Sequence, residues 1–167
     1  MLNGNKSAAA FTLAELLISL VITGILLAAM AVAFNASVMN YQENEGIAKA
    51  VKDAHQTLSR ITTELRTASG VEPNEPSNEC SMITASGADI TYQYNSTDGK
   101  VYLITNYDPT DDDYVLCDDV TAMTFQKTIE IRDSVTYVTS VQIFMTITND
   151  HIQRTFSAAA VLRKNLD

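Results

Sequence analysis

Glycine, histidine, cysteine and positive charge are all scarce in this 167-residue chain, and each scarcity removes a class of function. The six glycines stand at 4, 24, 46, 70, 87 and 99, never closer than 12 residues apart. No glycine-rich phosphate loop or dinucleotide fingerprint can be assembled at that spacing. The two histidines, His55 and His151, lie at ligand spacing neither from one another nor from a cysteine. Each reads as a surface residue rather than a metal ligand. Nothing marks a nucleophile, so the chain is expected not to be an enzyme and no cofactor is implied. Eleven Lys and Arg face twenty Asp and Glu, a net charge of −9 at pH 7. Phosphate binding needs clustered cations, so nucleic acid is not an expected partner.

What the chain does have is a long apolar run, Phe11 to Phe34, holding one carboxylate, Glu15, and no other charge. Twenty-four residues of helix rise about 36 Å, enough to cross a hydrocarbon core of ~30 Å. A carboxylate inside such a run is costly to insert, so Glu15 needs a partner or a purpose. Upstream lies a short polar leader, Met1 to Ala10, with the single cation Lys6.

The string Phe11-Thr12-Leu13-Ala14-Glu15-Leu16-Leu17 behind this leader resembles the class III signal of type IV pilins and type II secretion pseudopilins. Ala10 stands where most members have glycine. The resemblance implies that a prepilin peptidase cuts between Ala10 and Phe11 and methylates the new amino group of Phe11. It implies too that Glu15 serves assembly, meeting the Phe11 amine of a neighbouring subunit. Two rival readings exist. Ala31-Val32-Ala33 looks like a secretory cleavage site, and the run could also be a plain uncleaved anchor. Against secretory cleavage, the stretch from Leu16 to Ala33 is 18 residues long, beyond the roughly 7–15 of a signal-peptide core. Neither Gly nor Pro interrupts the sequence between Gly24 and Gly46.

Lys6, the only charge before the run, places the N-terminus in the cytoplasm by the positive-inside bias. The remainder is then periplasmic or otherwise extracytoplasmic, and the chain a single-pass inner-membrane protein. Cys80 and Cys117 fall in that exported part and are read as one disulfide. Closing a loop of about 38 residues would stabilise the fold by roughly 3–4 kcal/mol.

Beyond the run, Ile47, Val51, Ala54, Leu58, Ile61, Leu65 and Ala68 recur in alternating steps of four and three, one seam of a second helical stretch. Gly46 marks an expected bend or break, and Gly70, with Pro73 and Pro76 beyond it, an expected stop. Short alternating segments follow. Ile90, Tyr92 and Tyr94 lead through a turn at Asn95–Gly99 into 100–105, then come an acidic loop and 120–127. Val135, Tyr137, Val141, Ile143, Met145 and Ile147 share one face, broken at Thr139, and Ile152 to Leu162 return after Asn149-Asp150. The expected organisation is a leader at 1–10, a membrane-spanning half-helix at 11–34, an extracytoplasmic half at 35–69, a linker at 70–80 and an antiparallel sheet region at 81–167. The fold class is α+β, a long N-terminal helix packed on a C-terminal antiparallel sheet.

Leu58 to Ala68 and the terminal segment Ala160-Val161-Leu162-Arg163-Lys164-Asn165 look like the J-type minor pseudopilins of type II secretion, and equally like the W-type minor pilins. The resemblance implies a structural and assembly subunit. Its partners would be other pilin or pseudopilin subunits, the prepilin peptidase, the membrane and an inner-membrane assembly platform. The competing class is a bitopic, membrane-anchored extracytoplasmic binding protein outside any filament. One further constellation is the acidic loop of Asp108, Asp111, Asp112, Asp113, Asp118 and Asp119. Asp108, Asp111 and Asp113 are a weak calcium candidate, but the alternating spacing of a calcium loop is missing and a solvated acidic loop is the preferred reading.

Overall fold

The computed structural model describes residues 12–107, 113–149 and 152–165. The chain divides into two compact units, the first ending at Glu43 and the second beginning at Asn44. A single helix, α1 (Leu13–Thr67), contributes to both. In the first unit every described side chain is exposed. In the second, α1 is one element of a core shared with two antiparallel sheets. This is the α+β architecture expected from the sequence.

The break expected at Gly46 does not occur, because α1 is helical through that position. An interior glycine weakens a helix by only about 1 kcal/mol relative to alanine. Its role here is contact: a Cβ at Gly46 would meet Asn149 Nδ2 at 3.1 Å. The helix ends at Thr67, three residues before Gly70. Gly70 is not a left-handed cap; it enters β1 (Gly70–Val71), and Ser69 N–H donates to the Ile83 carbonyl at 2.7 Å.

Of the expected seam, Ala54, Leu58, Ile61, Leu65 and Ala68 are buried, while Ile47 and Val51 are only half-buried. Ala50, Thr57 and Thr62 widen it. The threonines escape a search for apolar periodicity, yet each is satisfied. Thr57 Oγ1 donates to the Leu116 carbonyl at 3.1 Å and Thr62 Oγ1 to the Leu58 carbonyl at 2.8 Å.

The first sheet holds five strands in chain order: β1, β2 (Glu79–Ile83), β3 (Asp89–Asn95), β4 (Lys100–Thr105) and β5 (Tyr114–Cys117). The second holds β6 (Val120–Arg132), β7 (Val135–Asn149) and β8 (Ile152–Val161). Strand β1 and the start of β2 occupy what reads as linker, and β5 part of what reads as acidic loop. Tyr92 OH donates to Glu64 Oε2 at 2.7 Å and fastens the first sheet to α1. The Phe156 and His55 rings meet edge to face, with centroids 4.9 Å apart, beside the second.

The face proposed for β7 is correct only beyond Thr139. Thr128 pairs with Ser140 and Ile129 with Val138, so Thr139 is an extra residue on β7, a bulge. One inserted residue reverses which side chains point inward. Val138, Val141, Ile143, Met145 and Ile147 are therefore buried, whereas Val135 and Tyr137 are exposed.

Candidate functional site

The start of α1 is built as a capping box. Thr12 Oγ1 accepts the Glu15 N–H at 3.2 Å, and Glu15 Oε2 accepts the Thr12 N–H at 3.0 Å and the Thr12 hydroxyl at 3.0 Å. Two of the backbone donors that a helix start leaves without partners are thereby satisfied. The Thr-x-x-Glu spacing was legible in the sequence as a cap, a role separate from any in assembly. Oε1 of Glu15 makes no hydrogen bond among the described residues and is open to an external donor. Ala10 and Phe11 lie outside the described residues.

Past the cap, the helix presents an apolar surface on all sides. An 18-residue window reaches a mean hydropathy of 2.7, with none of it buried. Its hydroxyls turn inward to their own backbone. Ser19 Oγ donates to the Glu15 carbonyl at 2.6 Å, Thr23 Oγ1 to the Ser19 carbonyl at 2.7 Å and Ser37 Oγ to the Ala33 carbonyl at 3.0 Å. Such internal satisfaction is what a segment in hydrocarbon requires.

The cysteine pairing expected from the sequence is not formed: Cys80 and Cys117 are both free and buried. Cys80 is on β2 and Cys117 on β5, with β3 and β4 between them. Three interstrand steps amount to about 14 Å, beyond the ~7 Å Cα limit for a disulfide. Burial pushes each thiol up to about 12, so neither is a ready thiolate.

Asp108, Asp111, Asp112 and His151 lie outside the described residues. Asp113, Asp118 and Asp119 are exposed around β5, and among the described residues no three His, Cys, Asp or Glu side chains gather as a metal site would require. His55 is exposed on α1.

Residues 5–31 match the family model described as the prokaryotic N-terminal methylation motif. Curated proteins and solved structures give no significant match. Residues 5–31 thus carry a type IV pilin-like class III signal at the start of an apolar helix long enough to cross a membrane, which supports a membrane-anchored protein. That motif implies processing by a prepilin peptidase and assembly with other pilin-like subunits.

Proposed function

We propose that the chain is a minor pseudopilin or minor pilin, a structural and assembly subunit of a type II secretion pseudopilus or a type IV pilus. The observation that carries this reading is the methylation motif opening one helix, exposed and apolar in its first unit and buried against sheets in its second. The J-type and W-type minor subunits fit the helix-then-meander order equally well.

On this reading the N-terminus faces the cytoplasm, the α+β unit is periplasmic, and cleavage between Ala10 and Phe11 releases a methylated amine. The amine keeps its positive charge, and Oε2 of Glu15 in its own chain is already held by Thr12. Glu15 of an adjacent subunit, displaced by about one helical turn, supplies one. In low dielectric such a pair gains from meeting, and either member alone is heavily penalised. The capping box adds preorganisation: Thr12 fixes Oε2, so Oε1 is presented in a defined direction.

Intact-mass measurement of the chain purified from membranes of a host with prepilin peptidase tests the reading. A mature N-terminus at Phe11 with one added methyl is expected. A start at Met1 indicates a plain anchor, a start near Asn35 secretory cleavage, and either overturns it.

A further inference from the structure

Strand β8 is an open edge. Residues 152–161 pair with β7 from Ile152–Asn149 to Val161–Ser140 without a register shift. No backbone hydrogen bond among the described residues falls on the other side of β8. The usual protections of an edge strand are a proline, a bulge or several charges. Here the ten residues Ile-Gln-Arg-Thr-Phe-Ser-Ala-Ala-Ala-Val hold one charge, Arg154, and no proline.

Beside this edge runs a groove of about 370 Å³, with Phe156, Ser157 and Ala158 on one wall and His55, Ser59 and Thr63 of α1 among those on the other. Leu58, which is only 4% exposed, also lines it. The α1 hydroxyls at Thr62 and Thr63 bond back to their own helix, so the wall is small and locally satisfied. A strand added about 4.8 Å from β8 would run beside the residues that line this groove.

The charge around it is opposite to that of the chain. Arg66 borders the groove, and Arg154 lies on the helix-facing side of β8, paired with buried Ile147 and two residues before Phe156. Both arginines are exposed, and neither makes an ion pair among the described residues. Strand β8 runs the same way as α1, since Asn149 lies against Gly46 and Phe156 against His55. Arg154 therefore stands toward one end, while Arg66 is eleven residues past His55, about 16 Å along the helix. Glu64 is the one carboxylate on the adjoining helix surface, and Arg60 and Tyr92 already occupy it.

We infer that the β8 edge accepts an extended, acidic segment of another polypeptide as a fourth strand of the second sheet. Main-chain hydrogen bonds to β8 supply the pairing, and side chains of the added strand alternate between groove and solvent. Carboxylates near its two ends meet Arg154 and Arg66, while a central apolar residue covers Phe156 and Leu58. Two unpaired cations on a chain of net charge −9 select an acidic occupant. The inference stands apart from the filament reading, because it needs neither cleavage nor methylation.

The test uses the 167-residue chain in detergent micelles. The probe is a fluorescent octapeptide, Glu-Thr-Val-Thr-Val-Thr-Glu-Thr, whose Glu and Val side chains share one face, beside its counterpart with Lys for Glu and a Glu–Val version N-methylated at alternate residues. Saturable, salt-sensitive binding of the unmethylated Glu–Val peptide is expected, with slowed amide exchange confined to 152–161. The double variant R66E/R154E, both changes being at exposed positions, should melt normally and bind about tenfold or more weakly. Equal binding of the N-methylated peptide would mean attraction without strand addition and would overturn the inference. So would no saturation on the order of millimolar peptide. A concentration-dependent dimer that protects 152–161 without peptide would assign the edge to a second copy, and would overturn it as well.

Discussion

The ammonium of Lys127 lies 2.9 Å from Glu75 Oε2, and the two side chains are only 7% and 15% exposed. Lys127 is on β6 and Glu75 precedes β2, so one ion pair ties the second sheet to the segment entering the first. The same carboxylate oxygen accepts the Ser81 N–H at 2.7 Å, and nearby Phe125 N–H donates to the Ser77 carbonyl at 2.6 Å. Replacing Glu75 by Gln leaves a buried ammonium without its counter-charge, a loss of about 3 kcal/mol. Pairing Glu75→Gln with Lys127→Met should recover most of it, since an apolar replacement of a buried pair is often neutral. Urea unfolding of the single and double variants checks both statements.

Acid should act through the same residue. Burial pushes the Glu75 carboxyl up, but hydrogen bonds from Ser81 and Lys127, with the charge of Lys127, outweigh it and hold the group below its ordinary 4.5. A carboxyl depressed by folding contributes stability that is present above its unfolded value and is lost as pH falls through the folded one. Thermal melting of the wild type should therefore drop more steeply below pH 4.5 than that of Glu75→Gln. Parallel curves would show that Glu75 is not the titrating group.

Neither thiol should react in the folded protein. With Cys80 and Cys117 buried and both thiols pushed up to about 12, iodoacetamide at pH 8 should label none natively and two in urea. Prior reduction should change neither result. A chain that takes up label in urea only after reduction would restore the disulfide.

Much of this architecture could be read from the chain because its signals were local. The alternation in Ile90, Tyr92 and Tyr94, the segment 100–105 and the long final hairpin all became strands where periodicity placed them, with a turn between the first two. The failures were cases in which tertiary contact overrode local pattern. Strands β1, β2 and β5 are short and surrounded by turn residues, and they form by pairing with neighbours more regular than themselves. The disulfide was argued from compartment and even count, which carry no information on strand order. At Thr139 a single inserted residue moved Val138 inward and Tyr137 outward, and alternation cannot reveal on which residue a strand is bulged. At the N-terminus the Thr12–Glu15 cap was in plain view but hidden behind the more specific pilin-type reading of the same residues.

Gly99 is required for two reasons at once. It adopts φ +68° at the end of the β3–β4 turn, and an added Cβ would lie 3.1 Å from the Val120 carbonyl oxygen. Its own carbonyl accepts the Val120 N–H at 2.9 Å, joining the turn to the start of β6. Gly99→Ala should cost about 1–2 kcal/mol from the left-handed backbone alone, with the close contact adding to that. Chemical denaturation measures the loss. A loss well below 1 kcal/mol would show that the turn adapts without strain.

Glu15 has two duties, and one substitution separates them. Glutamine at the third helical position still accepts from the capping residue's N–H, so Glu15→Gln should keep the bond to Thr12 and the helix start. It removes the charge, so the subunit should reach the membrane at wild-type levels or above. Assembly should suffer instead, because the Phe11 amine of a neighbour would lose its counter-charge. Glu15→Ala removes both cap and charge, and should weaken assembly at least as much. The measurement is co-purification of each variant with companion pilin-like subunits from membranes, normalised to membrane content. Weakened complexes for both variants at normal membrane levels would support charge pairing. Loss in Glu15→Ala alone would assign Glu15 to the helix cap. Unchanged complexes in both would sink the pairing and leave the α+β unit as the element that recruits partners.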